Sequence, residues 1–238
     1  MVDIFTNDFE EGDFSAWTST TGAPTIVHAP THHNSHAMQA SDTQNIYATI
    51  SFGAHYNTFY CRFYARWSAL AATATSQTRP LRLVRDTDAA VMVLRIASDE
   101  IATYATPAGW ATTALAFNTA QWYCMDVKFV YHAANGEVRV YVDGTERVTR
   151  TGIDTTGAGN SVYKALLGLT SGGTTATTFN GDCFKAADAY IGPEVAGGTV
   201  KKGGGLVNSM MAMLNSKMLY SRKDFQLNLP SFSPRAAI

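Results

Sequence analysis

Between Gln121 and Arg150 the chain reads QWYCMDVKFVYHAANGEVRVYVDGTERVTR, and this stretch alone commits the molecule to antiparallel sheet. Tyr123, Met125, Val127, Phe129 and Tyr131 fall on one face of an extended run. In the next run Val138, Val140 and Val142 share a face, with Glu137, Arg139, Tyr141 and Asp143 opposite. Alternation with period two is what a strand shows when one face is buried and the other meets solvent. Asn135-Gly136 lies in the connection and Asp143-Gly144 closes the second run. Both dipeptides accept the positive φ that tight hairpin turns demand.

Further short runs have the same character. Ile46 to Phe52, Thr58 to Trp67, Ile101 to Tyr104, Val162 to Leu169 and Ala189 to Ile191 are β-rich, and Leu81 to Val84 and Val91 to Ile96 flank an Asp86-Thr87-Asp88-Ala89 turn. No convincing 3.6-residue apolar period occurs before residue 200. The Thr/Ala/Gly stretches from Ala69 to Thr78 and from Thr170 to Thr178 read as loops. Many short strands separated by turn residues predict an all-β, two-sheet antiparallel jelly-roll sandwich.

Three segments carry a family resemblance. The Trp122 to Gly144 hairpin resembles the W-Y…G-E-V-R-x-Y-V-D-G hairpin of concanavalin A-like, laminin-G-like jelly rolls. Asp8-Phe9-Glu10-Glu11-Gly12-Asp13-Phe14-Ser15-Ala16-Trp17 resembles the opening strand of many such modules. Phe179 to Phe184 with Asp188-Ala189-Tyr190-Ile191-Gly192 is similar to their closing strand. The resemblance covers roughly residues 3–193 and implies that the first and last strands pair. It also implies a Ca2+ site between them, with Glu10 and Asp188 at the ligand positions. Hard Ca2+ takes six to eight oxygens, and Ala187 stands where the family often has a second Asp.

Charge and composition then divide the chain. Residues 1–194 form the jelly-roll domain, 195–205 a Gly-rich linker, and 206–238 a basic, Met-rich appendage. Residues 201–238 hold six bases against Asp224 alone, leaving twelve bases and eighteen acids before them. Met210, Met211, Leu214 and Met218 recur at three- and four-residue steps and predict one short amphipathic helix, followed by an extended tail. That helix either folds back on its own sandwich or docks on another protein, with Arg222 and Lys223 adding charge. No run of about 18 apolar residues suggests a membrane span. Nucleic-acid motifs are missing, and the start lacks the pattern of a secretory signal. Cys61, Cys124 and Cys183 read as buried free thiols.

Sugar binding calls for exposed aromatics beside orienting polar groups. Trp110, in a loop-like Pro107-Ala108-Gly109 context, and Tyr104 are the candidates, with His32 and His33 in a loop that also carries His28 and His36. Packing is the competing role for Trp110, solvation or a soft-metal site for the histidines, and core for Trp17, Trp67 and Trp122. Glucanases of the resembled family place E-x-D-x-x-E on a strand, and this chain has no such motif. The expectation is therefore a non-enzymatic module made in the cytoplasm without a signal peptide and displayed on a virion or extracellular surface. It would be a capsid-decoration or tail-associated protein, anchored by its C-terminal segment to other virion proteins or neighbouring copies, with cell-surface glycans as possible ligands. The alternative is a secreted carbohydrate-active enzyme, a polysaccharide lyase or glucanase, or its binding module.

Overall fold

The computed structural model describes residues 1–42, 45–70, 78–157, 159, 161–170 and 176–194. Met210, Met211, Leu214, Met218, Arg222 and Lys223, with the linker, helix and tail expected around them, lie outside the described residues. Among the described residues fifteen strands run in order. They are β1 (Asp3–Asn7), β2 (Ser19–Thr21), β3 (Thr25–Val27), β4 (Ala37–Asp42), β5 (Ile46–Tyr56), β6 (Thr58–Trp67), β7 (Thr78–Val84) and β8 (Ala90–Ile96). There follow β9 (Glu100–Ala105), β10 (Gly109–Ala114), β11 (Tyr123–Val130), β12 (Gly136–Val142), β13 (Thr145–Ile153), β14 (Val162–Leu169) and β15 (Thr177–Ala187).

They form two antiparallel sheets. One runs β13-β12-β11-β6-β15-β4-β3, with β1 also on β15; the other runs β10-β9-β8-β7-β14-β5-β2. The long β15 explains the double pairing. Its first half, Thr177 to Gly181, pairs with β4, while Phe184 to Ala187 pairs with β1 along the same edge. First and last strands therefore meet, as the resemblance implied. Ala189 to Ile191, however, is not a strand: the chain leaves the sheet after Ala187.

Period-two alternation sorts the side chains as expected. Phe59, Cys61, Phe63, Ala65 and Trp67 of β6, Met125, Val127 and Phe129 of β11, and Val138, Val140 and Val142 of β12 enter the common core. Leu81, Leu83, Leu94, Ile101, Ala165 and Leu167 meet them from the second sheet. The turn between β12 and β13 places Asp143 at φ 52° and Gly144 at φ 75°. Those paired positive values belong to the type I′ hairpin turn, whose twist matches that of the strands.

Residues Met1–Pro193 make one compact unit, and the hydrophobic core formed by the described residues lies within it. A chain ending at Pro193 should thus unfold cooperatively, with a midpoint within a few degrees of the full-length protein. Loss of the native near-ultraviolet circular dichroism on truncation would contradict this.

Candidate functional site

Strand register builds the site. Residues directly opposite in an antiparallel pair show their side chains on the same face. Trp110 lies opposite Tyr104, Tyr104 opposite Val93, and Val93 opposite Arg82. Arg82 then lies opposite Leu166, Leu166 opposite Thr49, and Thr49 opposite Ser19. One row of side chains thus crosses all seven strands. Six interstrand spacings of ~4.8 Å give it a length of about 29 Å. The flanking residues Leu81, Leu83, Leu94, Ile101 and Ala165 point into the core, so the row faces outward.

Two open depressions follow this row. The larger, about 500 Å3, is lined by Asn45, Arg79, Arg82, Val93, Tyr104, Trp110 and Thr170, among others. The smaller, about 270 Å3, is lined by Thr18, Ser19, Tyr47, Thr49, Ser51 and Lys164, and Arg82 borders both. Trp110 is 42% exposed, one of few large apolar side chains left in solvent. Its ring lies 5.3 Å from that of Tyr104, and the Arg95 guanidinium sits 4.3 Å from its centroid. Arg79 approaches the same ring at 5.8 Å. Such cation–π contacts hold an indole in a fixed plane. Arg95 is itself tied to Glu100 at 3.0 Å. Burial, then repulsion from Arg95 and Arg82, holds the Arg79 guanidinium below its usual range. Towards the other end Lys164 pairs with Asp88 at 2.8 Å.

The outer face of the eight-stranded sheet carries a different arrangement. Arg62 and Tyr64 of β6, Cys124 and Asp126 of β11, and Asp182 and Cys183 of β15 lie there, each less than a tenth exposed. Two segments seal them. The main-chain N–H groups of His32 and His33 donate to Asp182 Oδ2 at 2.9 and 3.0 Å. The Gly192 N–H donates to Asp126 Oδ1, and Arg62 donates to the Gly192 carbonyl. Burial pushes Asp126 and Asp182 up to about 6, against the opposing pull of these donors. It also pushes the Cys124 thiol up to about 12, which leaves it protonated and inert. This centre locks two covering segments onto the sheet, whereas the row on the other sheet is open to a ligand.

The structure brings Trp110 and Tyr104 together and separates them from His32 and His33, which lie across the sandwich. There the His32 ring stacks flat on Tyr64, with centroids 3.5 Å apart. Trp17 and Trp67 are core residues, but Trp122 is not. It packs half-buried against the Tyr64, Cys124 and Cys183 cluster on the outer face. The three cysteines are buried, and none forms a disulfide among the described residues.

The expected Ca2+ ligands Glu10 and Asp188 each accept main-chain donors, near opposite ends of β1. Asp188 accepts the Val2 N–H at the start of β1. Glu10 lies beyond the end of β1 and accepts the N–H groups of Ser35 and His36. The five residues of β1 (roughly 16 Å of strand) separate them.

The Arg79, Arg82 and Arg95 grouping was missed in the sequence. Part of its signal was there, Arg82 and Arg95 interrupting apolar β7 and β8 on their outer parity, but Arg79 shares the parity of Leu81 and reaches the same face only through the register shift between Thr78 and Leu81.

No family model and no curated protein matches the sequence. Solved structures do match in shape. Cip1, a cellulose induced protein, superposes with a TM-score of 0.63 over 80% of this chain and 100% of its own, at 12% identity. An endo-β-1,4-glucuronan lyase from the fungus Trichoderma reesei gives 0.61 over 79% of this chain and 96% of its own, at 13% identity. The botulinum neurotoxin type G receptor-binding domain gives 0.56 over 80% of this chain and 49% of that one, at 11% identity. The fold is the concanavalin A-like jelly roll. At these identities the likeness is one of fold. It nevertheless corrects one expectation. The missing glucanase motif suggests a non-enzymatic module, but the lyase shows that this fold also houses an enzyme of another class. The missing motif therefore does not exclude activity.

Proposed function

We propose that this protein binds an extended carbohydrate chain laid across the strands of its seven-stranded sheet. The observation that carries this reading is the continuous outward row from Trp110 to Ser19. A polysaccharide is long and thin, and it offers apolar C–H faces and hydroxyl edges in turn. Trp110 and Tyr104 supply a stacking platform at one end; Thr49, Ser19, Thr18 and Ser51 supply hydroxyl partners at the other. The carbohydrate-directed names among the structural neighbours support the class of ligand. Display on a particle through residues 195–238 rests on the sequence of that segment alone and draws no support from the fold or the neighbours.

Isothermal titration against a panel of neutral and acidic polysaccharides tests the proposal. At least one should bind, and Trp110→Ala should weaken it about tenfold, the worth of roughly 1.4 kcal/mol of lost stacking. The same mixtures, assayed for new reducing ends and unsaturated sugars, show whether binding leads to cleavage. Wild-type protein that ignores the whole panel, or binding indifferent to Trp110→Ala, refutes the proposed row.

A further inference from the structure

The charge along the row is graded, and the grading names a ligand class. This inference rests on the reading of the row as a carbohydrate site. Towards the hydroxyl-rich end Lys164 is neutralised by Asp88, and it also donates to the Asp86 carbonyl. At the aromatic end Arg95 is neutralised by Glu100 and stacked on Trp110. Arg79 and Arg82 differ from both. Among the described residues neither forms an ion pair with a carboxylate, and the only side-chain hydrogen bond of Arg82 is a long one, 3.4 Å, to the Asp88 carbonyl.

Both line the larger depression beside the half-exposed Trp110, and none of the described residues in its wall is acidic. Two like charges facing one half-buried space repel each other, and an anion placed there relieves the repulsion and accepts from both forks. Guanidinium groups match the planar geometry of a carboxylate and the tetrahedral edge of a sulfate equally. Trp110 and Tyr104 beside them require that the anion be carried on a ring that can stack.

We infer that Arg79 and Arg82 form an acidic-sugar subsite at the Trp110 end of the row, which makes the ligand an anionic polysaccharide with carboxylate or sulfate on its sugar rings. The remainder of the row, with its basic group already paired, accepts the neutral edges of the same chain.

The test uses the full-length protein and four polymers: polygalacturonate, its carboxyl-reduced counterpart, dextran sulfate and dextran. Polygalacturonate or dextran sulfate should bind at least tenfold more tightly than its neutral partner, and whichever does identifies carboxylate or sulfate as the natural group. The preference should shrink as salt rises. Arg79→Gln and Arg82→Gln should each weaken the acidic polymer about tenfold, while Arg82→Lys, which keeps the charge, should lose less. Thermal melts confirm that each variant is folded, and Arg82→Gln serves if Arg79→Gln is not.

Neutral polymers binding as well as acidic ones, with Trp110→Ala weakening both, would overturn the inference and leave the carbohydrate site intact. Binding of none of the polymers, across a wider neutral panel as well, would remove the site itself. Single-stranded DNA binding as tightly as the acidic sugars would show a general polyanion surface and also overturn the inference.

Discussion

Replacing Trp17 by alanine should destabilise the jelly roll by about 3–5 kcal/mol, a large share of what a domain of this size possesses. Trp17 is 5% exposed and belongs to no strand, yet it fastens the opening strand to the closing one. Its ring stacks on Phe9 at 5.6 Å and meets Phe5 and Phe184 at 5.4 Å each, so it touches β1, the turn after it, and β15. Its indole N–H donates to Asn7 Oδ1 at 3.0 Å, and the same oxygen accepts the Phe9 N–H. Alanine would leave a cavity among aromatic rings that cannot collapse to fill it, and would strip a donor from a buried amide. Trp17→Phe keeps most of the ring but not the N–H, and should lose about half as much. Urea unfolding followed by circular dichroism measures both. A loss under 1 kcal/mol for Trp17→Ala would mean that β1 is held by its main-chain ladder alone.

Trp17 also shows what the sequence could reveal. Its place in the D-F-E-x-G segment pointed to the opening strand itself, but residues 8–17 follow β1 as turns, and Trp17 fastens that strand from outside it. The β11–β12 hairpin was legible for a physical reason: one face is buried along its whole length, so register and face follow from the spacing. β6 and β14 have the bounds that the alternation predicted, Thr58–Trp67 and Val162–Leu169. What stayed hidden depended on long-range pairing. The row from Trp110 to Ser19 needs β14 to pair with β7 on one side and β5 on the other, and nothing local in any of these strands encodes that choice.

A second hidden feature is a bulge. Strict alternation puts Asp182 and Cys183 on opposite faces, but register shifts between Asp182 and Lys185, and Cys183 adopts φ 49°. Both side chains therefore reach the outer face, while Phe184 returns to the core. The loop that carries the histidines is held by its main chain: Asp182 accepts the N–H groups of His32 and His33, which any residue would supply.

That bulge sets up the second large effect. Asp182 is fully buried and accepts three main-chain donors, from His32, His33 and Cys183. Asp182→Ala removes the acceptor from all three and should cost about 3 kcal/mol or more. The pH dependence has a definite sign. Burial raises the folded-state value to about 6, above the ordinary 3.8, so the stability this group contributes is fully present below about pH 4. It is lost as pH rises through 6, because the folded state must then hold a desolvated charge that the unfolded chain hydrates freely. The two-unit displacement corresponds to at most about 3 kcal/mol.

Asp182→Asn stays neutral and keeps one acceptor oxygen. Whatever fixed penalty its amide brings, its stability relative to wild type should rise by up to about 3 kcal/mol between pH 4 and pH 7. Glu137, held below its usual range against burial by Lys128 and Arg139, and Glu146, held there by Thr149 and then Arg139, contribute the opposite slope, but they do so in both proteins and cancel in the difference. Urea unfolding of wild type and Asp182→Asn at unit intervals of pH decides the matter. Parallel curves across that window would show that Asp182 ionises freely in the fold, and that the seal over the eight-stranded sheet is looser than its hydrogen bonds imply.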